Sequence, residues 1–394
     1  MNDRILHTPE GVRDIYGQEL AGKVRIETCL NDLLASFGYH AIQTPSFEYF
    51  DVFGTQRGTS HAGSWYKFFD REGNTLVLRP DITPSVARAA AKYFTEDDRV
   101  QRLSYQGSVF DNQSSYQGRL KESTQLGAEL IGDPSADADA EMIALVIYGM
   151  KEIGFKDFQV SFTHADIFAG LMEACDFDED DRSQIESLIE NHNRFGLQEY
   201  LESRALSSDL LDLFDRMTRI YNDPSDWSEL RELSSPYPGI SGALDRLGQI
   251  YEILRIYGIE SYVSFEPGLL ASSRYYTGVI FAGYTFGSGQ ALVRGGRYDR
   301  LLSDFGKNAA AIGFAFSVDQ LMLAASSQGI AVPEIQQEHI ILYHRSCRAD
   351  ALRLAGELRR AGERPALVSC DDDRDLELER GKYPGARVDC INAR

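Results

Sequence analysis

The sequence predicts an α+β protein, and three observations carry that prediction. Segments of strand character fall next to one another around polar turns, as antiparallel hairpins do. Long helical segments stand before and after them rather than alternating strictly with them. One continuous stretch, from about 165 to 257, is helical throughout.

Thr8-Pro9-Glu10-Gly11-Val12-Arg13-Asp14 is a turn-rich lead-in. Glu19 to Phe37 reads as an amphipathic helix with Val24, Cys29, Leu30, Leu33 and Leu34 on or near one stripe. Gly38 stands where a helix ends on a left-handed residue. A strand, a turn at Thr44-Pro45 and an apolar-aromatic stretch follow. Trp65–Phe69 and Thr75–Leu78 form a hairpin around Asp70–Asn74, which leads into Leu78-Arg79-Pro80-Asp81-Ile82-Thr83 and a helix from Pro84 to Tyr93. Asp81 is placed to cap that helix.

Ser104 to Phe110 reads as a strand and Asp111 to Gly118 as a polar loop. Beyond it, Leu126, Ala128 and Leu130 alternate with Gln125, Gly127 and Glu129. Period 2 puts Gln125 and Glu129 on one strand face with Gly127 leaving a gap between them. An amide and a carboxylate beside a gap suit a small polar ligand; a solvated strand face has the same pattern. Ala136–Ile153 is a helix and Phe158–Phe162 a strand. The helical stretch then begins, with a nearly unbroken acidic run from Asp176 to Asp181. Strands return at Ser261–Phe265, at Tyr275–Phe281 and, after the turn Gly287-Ser288-Gly289, at Leu292–Asp299. Ala310–Ala325 gives a strand to Phe316 and a helix after it. Residues 1–325 form a core, 326–337 a linker, and 338–394 a short α/β domain with strand His339–His344, helix Ala349–Gly362, strand Pro365–Cys370 and a short remainder.

Composition narrows the function classes. A net charge of −20 disfavours a phosphate backbone as partner, so no nucleic acid is expected. The five cysteines are scattered and odd in number, with no Cys-x-x-Cys and no histidine cluster, so neither a metal site nor a disulfide framework is expected. No apolar run approaches the ~18 residues of a membrane span, and the first residues show no leader, so a cytoplasmic protein is expected. No Walker loop or dinucleotide fingerprint appears, and no cofactor is implied.

Several of these segments resemble the class II aminoacyl-tRNA synthetases, in the form seen in histidyl-tRNA synthetase. Phe110-Asp111, Gly118-Arg119 and Gln125-Leu126-Gly127-Ala128-Glu129 follow the frame of motif 2, but its arginine after the phenylalanine is Asp111. The helix, strand and Pro45 resemble motif 1, which builds a dimer interface. Arg79-Pro80-Asp81-Ile82-Thr83 matches Arg-Pro-Glu-x-Thr, whose glutamate and threonine hold the substrate's amino group. Tyr275-Tyr276 and Gly295-Gly296-Arg297-Tyr298-Asp299 match the two histidyl signatures, and Tyr276 and Tyr298 fall on their tyrosines. Read without the resemblance, both tyrosines are equally residues of a packed core. Motif 3 ends here in Ser317-Val318-Asp319-Gln320-Leu321, so its arginine is Gln320, and the first signature's arginine falls on Ala271.

The resemblance implies a class II antiparallel sheet flanked by helices, with a helical insertion and a truncated C-terminal domain. Amino-acid activation needs fixed cations on the phosphates, and the three arginines that supply them are Asp111, Ala271 and Gln320. The groups implied to read histidine remain: Glu129 and Tyr276 for the imidazole, Asp81 and Thr83 for the ammonium, Gln125 for the amino or carboxylate end, Tyr298 as lining. That profile is similar to the regulatory subunits of ATP phosphoribosyltransferase. It implies a histidine-binding, non-catalytic dimer assembled with short catalytic subunits, four of each, that transmits feedback inhibition in histidine biosynthesis. A divergent histidyl-tRNA synthetase, or a synthetase paralogue with another role, is the alternative.

Overall fold

The computed structural model describes residues 6–54, 62–94, 99–112, 120–191, 193–204, 206–217, 219–222, 227–269, 276–331, 339–371 and 378–392. Two compact units divide the chain, residues 1–332 and 333–394. Helix α1 (Gly17–Ser36) buries Ile26, Leu30 and Leu34 and is followed by Gly38 at φ +82°. Val24, expected on that stripe, is 49% exposed. The buried face repeats every four residues from Ile26, and Val24 lies two residues, roughly 200°, round from it.

Strand β1 (His40–Ala41) is short. Strands β2 (Phe47–Tyr49), β3 (Lys67–Phe69) and β4 (Thr75–Leu78) make a small antiparallel sheet in the order β2-β4-β3. The turn between β3 and β4 closes on the Asp70 carboxylate, which accepts from the N–H groups of Glu72 and Asn74. Helix α2 (Thr83–Tyr93) starts one residue before the expected Pro84, with Ile82 and not Asp81 at the N-cap position. Strands β5 (Gln101–Phe110) and β6 (Glu122–Ile131) pair as the expected antiparallel hairpin. Most of the polar loop between them, from 113 to 119, lies outside the described residues, and so do Gly118 and Arg119.

Helix α3 (Ala136–Ile153) has the expected bounds, with Ser135 as N-cap and Gly154 at φ +113° behind it. It is buried on nearly every side, between the sheet and the helices around it, and organises the largest core. Strand β7 (Phe158–His164) leads into the helical insertion: α4 (Ala165–Ala174), α5 (Glu179–Glu190), α6 (Arg194–Ser203), α7 (Ser208–Met217), α8 (Ser228–Ser234) and α9 (Pro238–Ile256). Part of the acidic run is a helix start. Asp178 caps α5 in a reciprocal box with Asp181, and the acidic first turn complements the helix dipole.

Strand β8 (Val263–Phe265) follows a 3-10 turn over Glu260–Tyr262, so it begins two residues later than expected. Strand β9 (Val279–Thr285) replaces the strand expected over 275–281: Tyr275 lies outside the described residues, and Tyr276 and Thr277 precede the strand. The ladder runs on through Gly283, where a side chain would meet Val293 Cγ1 at 2.6 Å. Strand β10 (Val293–Arg297), strand β11 (Ala311–Ser317) and helix α10 (Val318–Ser327) complete the unit, the helix running two residues into the stretch read as linker. The main sheet has the order β1-β5-β6-β11-β10-β9-β7-β8. Its inner pairs are antiparallel, as the class requires, and its two end pairs, β1–β5 and β7–β8, are parallel.

In the second unit, β12 (His339–His344), α11 (Arg348–Arg360) and β13 (Pro365–Cys370) are as expected, and the short remainder supplies another strand, β14 (Arg387–Ile391). The three strands are parallel in the order β13-β12-β14. His339 is buried on β12, its ring nitrogens 2.7 Å from Glu363 and 2.8 Å from Asp389, which ties β12 to β14.

The main sheet has two unlike faces. Leu126, Ala128, Leu130, Phe314, Phe316, Val293 and Phe281 point toward α3 and the core. On the opposite face the register aligns Leu103, Glu129, Gly313, Gly296, Ile280 and Thr163 in one row across β5, β6, β11, β10, β9 and β7. A Cβ on Gly313 would sit 1.5 Å from Glu129 Oε2. Gly313→Ala is therefore expected to lower stability in urea unfolding by about 1–3 kcal/mol, and to do so far less in a Glu129→Ala background. Equal losses in both backgrounds would show that the glycine is there for another reason.

Candidate functional site

The second face of the sheet holds the candidate site, and its centre is a carboxylate. Glu129 is fully buried. Thr83 Oγ1, in the first turn of α2, donates to its Oε1 at 2.7 Å. Tyr298, just beyond β10, donates to its Oε2 at 2.5 Å. Burial pushes the Glu129 carboxyl up to about 8, and the Tyr298 and Thr83 hydroxyls pull against that rise. Desolvation outweighs the hydrogen bonds because neither donor carries charge.

Asp81 and Gln125 extend the network. The Ile82 N–H lies 2.8 Å from Asp81 Oδ1 and 3.3 Å from Gln125 Oε1, so the two side chains share one donor. Burial raises the Asp81 carboxyl, opposed by the Ile82 and Thr83 N–H groups and by Gln125. Five of the six residues singled out for histidine, Asp81, Thr83, Gln125, Glu129 and Tyr298, thus lie in one hydrogen-bonded neighbourhood. The sixth, Tyr276, packs against the apolar cluster that contains Tyr298 and covers Gly296, where a Cβ would meet its ring at 2.6 Å. That places it two strands from Glu129, about 10 Å at ~4.8 Å per strand.

Each residue of Gly295-Gly296-Arg297-Tyr298-Asp299 has a distinct task. Gly295 leaves room for the Phe281 ring and Gly296 for Tyr276. Arg297 points to the core face and pairs with the buried Asp139 of α3, its Nε 2.8 Å from Oδ1, while Arg246 of α9 bonds the other oxygen at 2.8 Å. Asp299 accepts the Ala311 N–H at 3.0 Å, which turns the chain from β10 into β11. Tyr298 is then delivered to Glu129.

The gap expected at Gly127 is occupied. Tyr105, its register partner on β5, lays its hydroxyl where a Cβ would stand, 2.7 Å away, and 3.4 Å from Thr83 Oγ1. Sequence reasoning missed Tyr105. Its signal is an aromatic residue opposite a glycine, visible only once the hairpin register is known. Arg79 was also missed as a fixed point. Its buried guanidinium donates to carbonyls of Thr44 and Ser108 and fills the space over Gly107.

Of the positions matched to lost arginines, Asp111 ends the β5–β6 hairpin, its N–H donating to Lys121 O at 2.9 Å. Gln320 lies half-buried in the first turn of α10. Ala271 lies outside the described residues.

The raised Glu129 carboxyl predicts a pH dependence. The folded state holds this proton more tightly than the unfolded chain does. Its contribution to stability is therefore greatest at acid pH and is lost as pH rises from about 4.5, the ordinary carboxyl value, toward about 8. Glu129→Gln is expected to flatten the fall in Tm across that window and to be the more stable protein at its alkaline end. A Glu129→Gln variant with the parent's slope would assign the dependence to another group.

Comparison with known proteins follows the same lines. The family model described as histidyl-tRNA synthetase matches residues 11–321. The ATP phosphoribosyltransferase regulatory subunit of Acetivibrio thermocellus is 33% identical over 357 residues, 91% of this chain and 85% of its own. That of Caldanaerobacter subterraneus subsp. tengcongensis is 32% identical over 95% of this chain and 97% of its own. A Bacillus halodurans structure described as an ATP phosphoribosyltransferase regulatory subunit/histidyl-tRNA synthetase superposes with a TM-score of 0.88 at 31% identity, over 99% of both chains. The histidyl-tRNA synthetase of Nostoc sp. PCC 7120, at 18% identity, shares the fold with a TM-score of 0.80. With identity sustained along nearly the whole length of both partners, this chain belongs to the family of ATP phosphoribosyltransferase regulatory subunits, built on the histidyl-tRNA synthetase fold.

Proposed function

We propose that this chain binds free histidine over the Glu129 floor and relays that binding, as feedback inhibition, to a short catalytic ATP phosphoribosyltransferase subunit in the cytoplasm. It performs no chemistry of its own. One contrast carries the reading. The hydrogen-bonded groups around Glu129 are assembled, whereas the positions matched to the phosphate-binding arginines are Asp111, Gln320 and Ala271. A carboxylate ~4 Å from a phosphate oxygen costs about 1 kcal/mol in water and up to ~4 at an effective dielectric near 20, so Asp111 opposes a nucleotide rather than merely failing to hold it.

The polarity of the site suits histidine. Asp81 and Gln125 present acceptors for the ammonium, and Glu129 and Tyr276 present a carboxyl and a phenol for the ring. Assembly into a self-dimer, and with catalytic subunits into a hetero-octamer, is supported by apolar side chains left in solvent. Leu20 and Val24 on α1, and Phe47, Tyr49 and Phe69 on the small sheet, are each more than 40% exposed.

Calorimetry on the purified chain is expected to show histidine binding, with no ATP–pyrophosphate exchange. Asp81→Asn should weaken binding by about 1.5–3 kcal/mol, the worth of a hydrogen bond to a charged group. Measurable exchange would make the chain a synthetase. Co-purification with the catalytic subunit, assayed with and without histidine, tests the relay, and a complex indifferent to histidine would end it.

A further inference from the structure

A free amino acid is a zwitterion, and the residues assigned above give it anions but no cation. The register points to one. Beside the row of Glu129, Gly313 and Gly296 runs a second, two residues along each strand: Tyr105, Gly127, Ala315, Arg294, Ala282 and Ser161. Arg294 therefore stands on the ligand face of β10, two strands from Gly127 and one step from Gly296. Its strand neighbours Val293 and Gly295 are buried and it is exposed. The residues flanking it across the sheet, Ala315 and Ala282, are too short to stand between it and the floor. Tyr284 stands next along the same face of β9. Among the described residues no carboxylate lies within ion-pair distance of it.

We propose that Arg294 holds the carboxylate of the bound amino acid, so that the pocket selects a free amino acid over its amide. The inference rests on the histidine reading of the site. Asp81 and Gln125 stand by β6 and α2, Arg294 stands across the floor on β10, and a ligand with its ammonium toward the first has its carboxylate toward the second. The planar fork of arginine suits a carboxylate. The cation thus comes from a strand, not from any of the three positions matched to the synthetase arginines.

The test compares L-histidine with L-histidinamide in calorimetry, on the unmodified chain and on Arg294→Gln and Arg294→Lys. The unmodified chain is expected to prefer histidine roughly tenfold to a hundredfold, as a charge-assisted hydrogen bond implies. Arg294→Gln should lose that preference by binding histidine less tightly while binding histidinamide as before, and Arg294→Lys should fall between. Because Arg294 is exposed, all three proteins should share one Tm. An unchanged preference in Arg294→Gln, or an equal loss of both ligands, overturns the role of Arg294 and leaves the pocket standing. Failure of the unmodified chain to bind either ligand overturns the pocket, and this inference with it.

Discussion

The hydrogen bonds on the buried Glu129 carboxyl constrain the rest of the ligand face. A carboxyl without a cationic partner is expensive inside a protein, and here two neutral hydroxyls must satisfy it. They come from distant parts of the chain, Thr83 at the head of α2 and Tyr298 past the end of β10. Their convergence requires a bare strand at Gly313 and a fixed β10. The first is met by a glycine whose Cβ would collide with the carboxyl. The second is met on the opposite face, where Arg297 and Arg246 clamp Asp139 of the central helix. Removing one partner from that buried cluster would leave uncompensated charge. The ligand face and the core are thus one mechanical object, joined through adjacent residues of a single pentapeptide.

Much of this was legible because it depends on local periodicity. Alternation from Gln125 to Leu130 separates the two faces of β6 correctly, since the core side is continuously apolar and the other is not. Gly38 ends its helix with the positive φ that the sequence suggests. What escaped depends on register between distant strands. Tyr105 fills the space over Gly127 because the register of β5 on β6 sets the two opposite each other. Arg294 reads as an ordinary surface residue until β9, β10 and β11 are aligned. The helix after Asp81 begins at Thr83 with Ile82 at the cap position, one residue beyond Asp81, whose carboxylate accepts the Ile82 N–H. The strand expected over Tyr275–Phe281 lies further on, since Gly283 lets the ladder continue where propensity alone would end it. In the second unit, β14 was passed over because Arg387–Ile391 gains its strand character from pairing with β12 and not from its own composition.

The proposed function would turn a synthetase fold to sensing with few changes. A nucleoside triphosphate asks a site for concentrated positive charge, whereas an amino acid asks for one charge of each sign a few ångströms apart. Under the proposed function, Asp111 and Gln320 stand where cations would be needed, and neither residue lies on the Glu129 row.

Sensing asks for more than occupancy. A ligand shifts a conformational equilibrium only to the extent that it binds one state better than the other. A small molecule enclosed by a single rigid element would bind all states alike. Here the groups that would meet it stand on α2 and β6 at one side and on β10 and the segment before β9 at the other. A relative shift of the two sides would break one set of polar contacts while keeping the other, so affinity for the proposed ligand would depend on their separation. Through Arg297 and Asp139 the β10 side is tied to α3 and α9, a tie through which the proposed relay would reach the opposite face of the sheet.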